Sequence, residues 1–184
     1  RSLRGRPRRS PDGAGEQEAS MRRPTPDVPG PGQESVWDYP RPPRLERSDE
    51  HVVVRVGDHV VADTRRAWRV LETSHPPTYY VPRDDVDDAL LAPSARRTFC
   101  EWKGRASYAD LVVDGDRIAD ACWWYDTPTA GFADLAGAVA FYPELVTATV
   151  DGEEVRGVPG GFYGSWVTSR VAGPFKGAPG TEWW

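Results

Sequence analysis

The chain has 184 residues, room for one domain of ordinary size, with 39% hydrophobic residues and a net charge of −5. No apolar run approaches the ~20 residues that a membrane helix needs, and no apolar segment follows the Arg-rich start as a signal peptide requires. The acidic charge falls on the part after residue 50 and would repel a phosphate backbone, which argues against nucleic-acid binding by the folded domain.

The first 50 residues hold nine of the 18 prolines and almost no apolar run. Such a stretch buries too little surface to offset its ordering entropy, so residues 1–45 are expected to form a disordered Pro/Arg-rich arm. Five arginines between Arg1 and Arg9 read as a solvated tail rather than a nucleic-acid or membrane contact. The only methionine is Met21, the expected natural start. Residues 24–43 contain Pro-Thr-Pro, Pro-Gly-Pro-Gly and Pro-Arg-Pro-Pro, an extended polyproline-like run. Within it Trp37 and Tyr39 are costly to leave in water, so they are expected to dock on the domain as a strap.

A β-rich domain is predicted over 46–156. Val52, Val54 and Val56 alternate with Val53 and Arg55, Gly57-Asp58 turns the chain, and Val60-Val61-Ala62 returns, which is a hairpin pattern. Trp68 to Glu72 fits either a strand or one helical turn. A strand is preferred, because His75-Pro76-Pro77 forces a reversal and Thr78-Tyr79-Tyr80-Val81 is β-prone. Asp84-Asp85 can cap a short helix through Leu91, ended by Pro93. Thr98-Phe99-Cys100 begins another strand. Tyr108 to Val113 and Ile118 to Tyr125 make a hairpin about Asp114-Gly115. Thr127 or Thr129 caps a helix through about Val139, and Val146 to Val150 with Glu153 to Arg156 form a third hairpin about Asp151-Gly152. Residues 157–184 are Gly-rich and aromatic without a regular period, a C-terminal extension expected to pack on the domain. Three hairpins with one or two short helices indicate a mainly β, β-rich α+β domain with antiparallel sheets.

Two cysteines, Cys100 and Cys122, make no disulfide framework, so a cytoplasmic location with reduced thiols is the default. There is no Gly-x-Gly-x-x-Gly, P-loop or Gly-x-Ser-x-Gly elbow, and no paired Cys or His at zinc spacing, so no cofactor and no metal site is expected. The densest chemistry lies in Thr98 to Tyr108. There Cys100 stands three residues before Lys103, an arrangement that can lower a thiol pKa. As a structural alternative, Cys100 is a small buried hydrophobe and Lys103 a surface charge. The chain has 21 Arg and only two Lys, and both lysines sit in the same setting, Trp102-Lys103-Gly104 and Phe175-Lys176-Gly177. A site that needs a compact amine, or has no room for guanidinium, would resist replacement by Arg. The core segment is also dense in aromatics. On a strand Trp123 and Tyr125 share one face and Trp124 takes the other. Glu72, beside apolar residues, needs a partner, for which Lys103 or Arg105 would serve. His75 before two prolines reads as a turn residue.

Val70-Leu71-Glu72, His75-Pro76-Pro77, Tyr79-Tyr80-Val81-Pro82, the Cys-x-x-Lys-Gly-x-Ala-x-Tyr segment from Cys100 to Tyr108, Trp124-Tyr125 and Ala140-Phe141-Tyr142-Pro143 occur in an order and spacing that resemble the domain-of-unknown-function 427 family of bacteria and fungi. The resemblance covers roughly residues 51–154. It implies a compact β-rich domain akin to the β-tent folds. Some classifications label the family nucleotidyltransferase-like, and it brings no established activity. This chain has no Gly-Ser followed by paired carboxylates to hold two metal ions.

Three functions fit these residues. The first is a small-molecule-binding domain, its pocket lined by Glu72, Tyr80, Tyr108, Trp123 and Tyr125. The second is an enzyme, a transferase or thiol-dependent catalyst using Cys100 or Lys103. The third is a protein-interaction module acting through the Pro-rich arm and the aromatic extension. Oligomeric state has no signature in the sequence.

Overall fold

Alternating valines and β-prone aromatics between short polar turns make strands. A computed structural model, which describes residues 23–161 and 163–184, contains thirteen of them. In chain order they are β1 (Glu34–Ser35), β2 (Arg44–Arg47), β3 (Val52–Val56), β4 (His59–Thr64), β5 (Trp68–Leu71), β6 (Thr78–Tyr80) and β7 (Leu91–Cys100). They continue with β8 (Gly104–Val113), β9 (Asp116–Tyr125), β10 (Ala140–Phe141), β11 (Thr147–Val150), β12 (Glu153–Glu154) and β13 (Val171–Ala172). Three antiparallel sheets result, with strand orders β10-β9-β8-β7, β12-β11-β3-β4 and β2-β5-β6, and β1 pairs in parallel with β13. The chain is a mainly β domain with antiparallel sheets, as its alternation predicts. The three expected hairpins form at the expected turns, and Asp114 and Asp151 take the positive φ, 53° and 48°, that tight two-residue turns demand.

Two expected helices are replaced. Residues 84–91 form separate 3₁₀ turns, Arg83–Asp85 and Asp88–Leu90, and the chain enters β7 at Leu91 rather than stopping at Pro93. Pro93 is tolerated because β7 is an edge strand with a register shift between Pro93 and Arg97. The expected helix from Thr127 or Thr129 is the 3₁₀ segment Ala130–Leu135, with a non-helical Phe132. Its ends are tied elsewhere: Thr129 N donates to Lys103 O at 3.2 Å and Gly137 N to Tyr125 O at 3.0 Å, which leaves no length for an α-helix. Among the described residues no helix is long and apolar enough to cross a membrane.

The sheet of β7 to β10 buries both faces. Ala109, Leu111, Cys122 and Trp124 pack with Val52, Val54, Val61 and Val150 of the sheet opposite in the main core. Ala106, Tyr108, Trp123 and Tyr125 face the other way, onto Tyr80, Phe132 and Leu135. A third cluster joins the ends of the chain: Val36, Trp37 and Tyr39 pack with Leu71, Val158, Val167 and Val171. The arm predicted over 1–45 therefore divides. Residues 1–22, with Met21 and the arginine run, lie outside the described residues. Residues 34–45 carry the strap, with Trp37 and Tyr39 buried and β2 paired to β5, because the extension offers them an apolar groove. The extension goes deeper than a surface covering: Trp166 is 1% exposed in the main core, stacked on Tyr79 at 5.1 Å.

Candidate functional site

The Cys-x-x-Lys-Gly spacing turns out to be a hairpin. Cys100 pairs with Gly104 across a three-residue loop, Glu101-Trp102-Lys103, and the chain leaves the loop through a positive φ at the first residue of β8. Gly104 supplies φ +98°, so Cys100 and Lys103 stand together at the end of the β7–β8 hairpin. Lys103 Nζ lies 5.8 Å from the ring centroids of both Tyr125 and Phe132. Burial works to lower the Lys103 ammonium. The Tyr80 phenol, the Cys100 thiol and the Glu72 carboxylate outweigh it, so the pKa stands above the usual 10.5. That direction favours the ammonium form of Lys103. Cys122 is distinct from Cys100: it is buried in the main core, and burial pushes its thiol up to about 12.

Strand alternation brings Trp123 and Tyr125 to the side opposite Trp124. Trp123 meets Tyr142 at 4.6 Å, the edge of Tyr80 at 6.2 Å and Tyr108 at 6.5 Å, and Tyr80 lies 6.3 Å from Tyr125. Burial raises the phenols of Tyr80 and Tyr125, keeping both protonated. Tyr108 O–H is 2.9 Å from Thr98 Oγ1. Gly164 closes the extension over Trp123: a Cβ there would stand 2.2 Å from the indole Cη2.

The third wall is the β5–β6 loop. Glu72 pairs with Arg41 of the strap at 3.2 Å, not with the expected Lys103 or Arg105. Arg105 cannot reach, because strand alternation turns it outward beside Phe99, which is 78% exposed, while its neighbours Gly104 and Ala106 turn inward. Ser74 has φ +71°, and its hydroxyl is buried with no hydrogen-bond partner among the described residues. His75 donates from Nδ1 to Thr73 O at 2.9 Å, which leaves Nε2 as an acceptor, and its ring meets Tyr163 edge-on at 4.7 Å. Burial holds the imidazole below its usual 6.5, so it is neutral at pH 7.

These walls enclose a cavity of about 580 Å³. All seven sequence candidates line it: Glu72, Tyr80, Cys100, Lys103, Tyr108, Trp123 and Tyr125. So does Lys176, the second lysine, together with Arg41, His75 and Tyr163. The paired aromatic-Lys-Gly settings carried a signal for Lys176, whereas nothing in the sequence points to Arg41 or Tyr163. Burial and Arg41 lower the Lys176 ammonium from 10.5 against the pull of Glu72 and Glu182, and its Nζ donates to the Trp184 main-chain oxygen at 3.0 Å. Among the described residues neither lysine has an Asp or Glu side chain at ion-pair distance, and no group of three or more His, Cys, Asp or Glu could hold a metal ion.

The family profile NTP_transf_9, described as Domain of unknown function (DUF427), matches residues 44–152, more than half of the chain. The chain belongs to the DUF427 family. The DUF427 segment contributes the β7–β8 hairpin, the aromatic face of β9 and the β5–β6 loop. Arg41, Tyr163, Ser165 and Lys176 reach the cavity from outside it. No curated protein matches the chain.

Proposed function

We propose that the protein binds a small organic anion with a flat body in the cavity between the β7–β8 hairpin, the β5–β6 loop and the C-terminal extension. The observation that carries the reading is the excess of cations in the lining, Arg41, Arg96, Lys103 and Lys176 against the carboxylates Glu72 and Glu101. Glu72 pairs with Arg41 and is also the carboxylate felt by both Lys103 and Lys176. A half-buried cluster with more positive than negative charge is stabilised by an anion that completes it. Its setting in an acidic protein makes the positive potential local to the cavity mouth. The rings of Tyr80, Tyr108, Trp123 and Tyr125 offer stacking surfaces for the body, and a volume of about 580 Å³ falls in the ordinary range for small-molecule sites.

In this reading Lys103 and Cys100 are binding groups. Tryptophan fluorescence titrations with benzoate, phenyl phosphate and neutral benzyl alcohol test it, since Trp102 and Trp123 line the cavity. Both anions should quench and saturate while the alcohol does not. Lys103→Met should weaken both by about tenfold or more, the loss of one charge-assisted hydrogen bond. No saturable response to either anion, or equal responses to all three compounds, would refute the proposal.

A further inference from the structure

We infer that the strap and the C-terminal extension, the two segments outside the family-matched span, select the ligand's head group and favour a doubly charged oxyanion such as a phosphate monoester. The inference rests on the anion-binding reading above and adds where selectivity resides.

The cavity has a division of labour by origin. Tyr80, Trp123 and Tyr125 belong to residues 44–152 and make its aromatic walls, and Arg96 and Lys103 of the same span supply two of its cations. Arg41 and Lys176 come from outside that span and double the cations that line the cavity from two to four. With Lys103 and Arg96 they exceed the two lining carboxylates, Glu72 and Glu101, and a carboxylate ligand satisfies that excess in part while a phosphate dianion satisfies it more fully. The two side chains differ usefully: the Arg41 guanidinium is a planar fork that already shares Glu72 Oε1 and Thr73 O, and the Lys176 ammonium is a compact point charge.

Both segments are fixed to the same short loop, so their cations are held in relation to each other. Ser74 N donates to Val36 O at 2.9 Å and Thr73 N to Pro40 O at 3.3 Å, which ties the strap. Lys176 N donates to Ser74 O and Trp166 N to Pro77 O, both at 2.8 Å, which ties the extension. The loop between Glu72 and Pro77 is thus clamped from two sides, and the left-handed Ser74 sits where the two clamps meet. A relative with different terminal segments would keep the aromatic walls and lose this head-group seat.

The test compares phenyl phosphate with benzoate on the full chain, at a pH where the phosphate monoester is a dianion. Wild type should bind phenyl phosphate about tenfold more tightly. Lys176→Met and Arg41→Met should each bring that ratio close to one with benzoate binding changed by only a few-fold, whereas Lys103→Met should weaken both probes and preserve the ratio. Far- and near-UV circular dichroism verifies that each variant is folded. Lys176→Met carries the test alone if Arg41→Met is not, since Arg41 also ties the strap. A ratio that survives Lys176→Met overturns the inference while leaving anion binding intact. Failure of both probes on wild type overturns the two together.

Discussion

His75 is set among opposing influences, and burial prevails. Glu72 and the Thr73 carbonyl favour the charged ring, while Lys176, Arg41 and above all desolvation disfavour it, so the folded pKa lies below 6.5. The unfolded chain takes up the proton near 6.5 and the folded chain resists it. The stability from this group is therefore fully present above pH 6.5 and is lost as pH falls from there through the folded pKa. Urea denaturation from pH 7.5 downward should show stability declining below 6.5. His75→Gln, which keeps a donor for Thr73 O and does not titrate, should remove that decline. An identical decline in the variant would show that another group is responsible. The same residue shows why sequence reasoning saw a turn and no more: two prolines after His75 dictate the reversal locally, whereas its exposure to the cavity depends on Tyr163 and Lys176, contributed from about a hundred residues away.

The β7–β8 hairpin decides where Cys100 and Lys103 stand, and one backbone angle decides the hairpin. Gly104 holds φ +98°, a region costly for side-chain-bearing residues, yet a Cβ there would meet nothing nearer than Thr127 O at 3.7 Å. Gly104→Ala should therefore cost about 1–3 kcal/mol through backbone strain alone. It should also weaken anion binding, since the strained turn displaces Lys103. Gly131, with no positive φ and open space around it, is the control: Gly131→Ala should be neutral or stabilising by up to about 1 kcal/mol. Urea midpoints measure both, and equal effects at the two glycines would dismiss the strain argument. Alternation made most strands legible, including the split between the Trp123–Tyr125 face and Trp124. The β7–β8 turn was missed because Cys-Glu-Trp-Lys-Gly reads as chemistry before it reads as a turn. The two helices were overestimated because caps such as Thr129 are local signals, and here Thr129 Oγ1 donates to Trp102 O instead of capping.

At the scale of the whole molecule, the family-matched span and the folding unit are different things. Residues 44–152 contain β2 to β11, but the core they form is completed from outside. Trp166 fills the main core against Tyr79 and donates from Nε1 to Phe141 O at 3.1 Å. Val36 and Trp37 cover Leu71 together with Val158 and Val171. This closure was the least legible feature, because Gly-rich and Pro-rich segments without periodicity give no sign of what they cover, and the aromatics of the strap and the extension hinted only that both dock. Truncating one buried Trp typically costs about 3–5 kcal/mol, and a domain's entire stability is about 5–15 kcal/mol. A fragment of residues 44–152 should then lack a cooperative urea transition and near-UV ellipticity, while residues 23–184 should retain both. Trp166→Ala in the full chain should lower stability by about 3–5 kcal/mol without abolishing folding. A fragment that melts as cooperatively as the longer chain would mean that the extension rests on a core already complete. The cavity's dependence on Arg41 and Lys176 would then be a matter of ligand recognition alone, separable from folding.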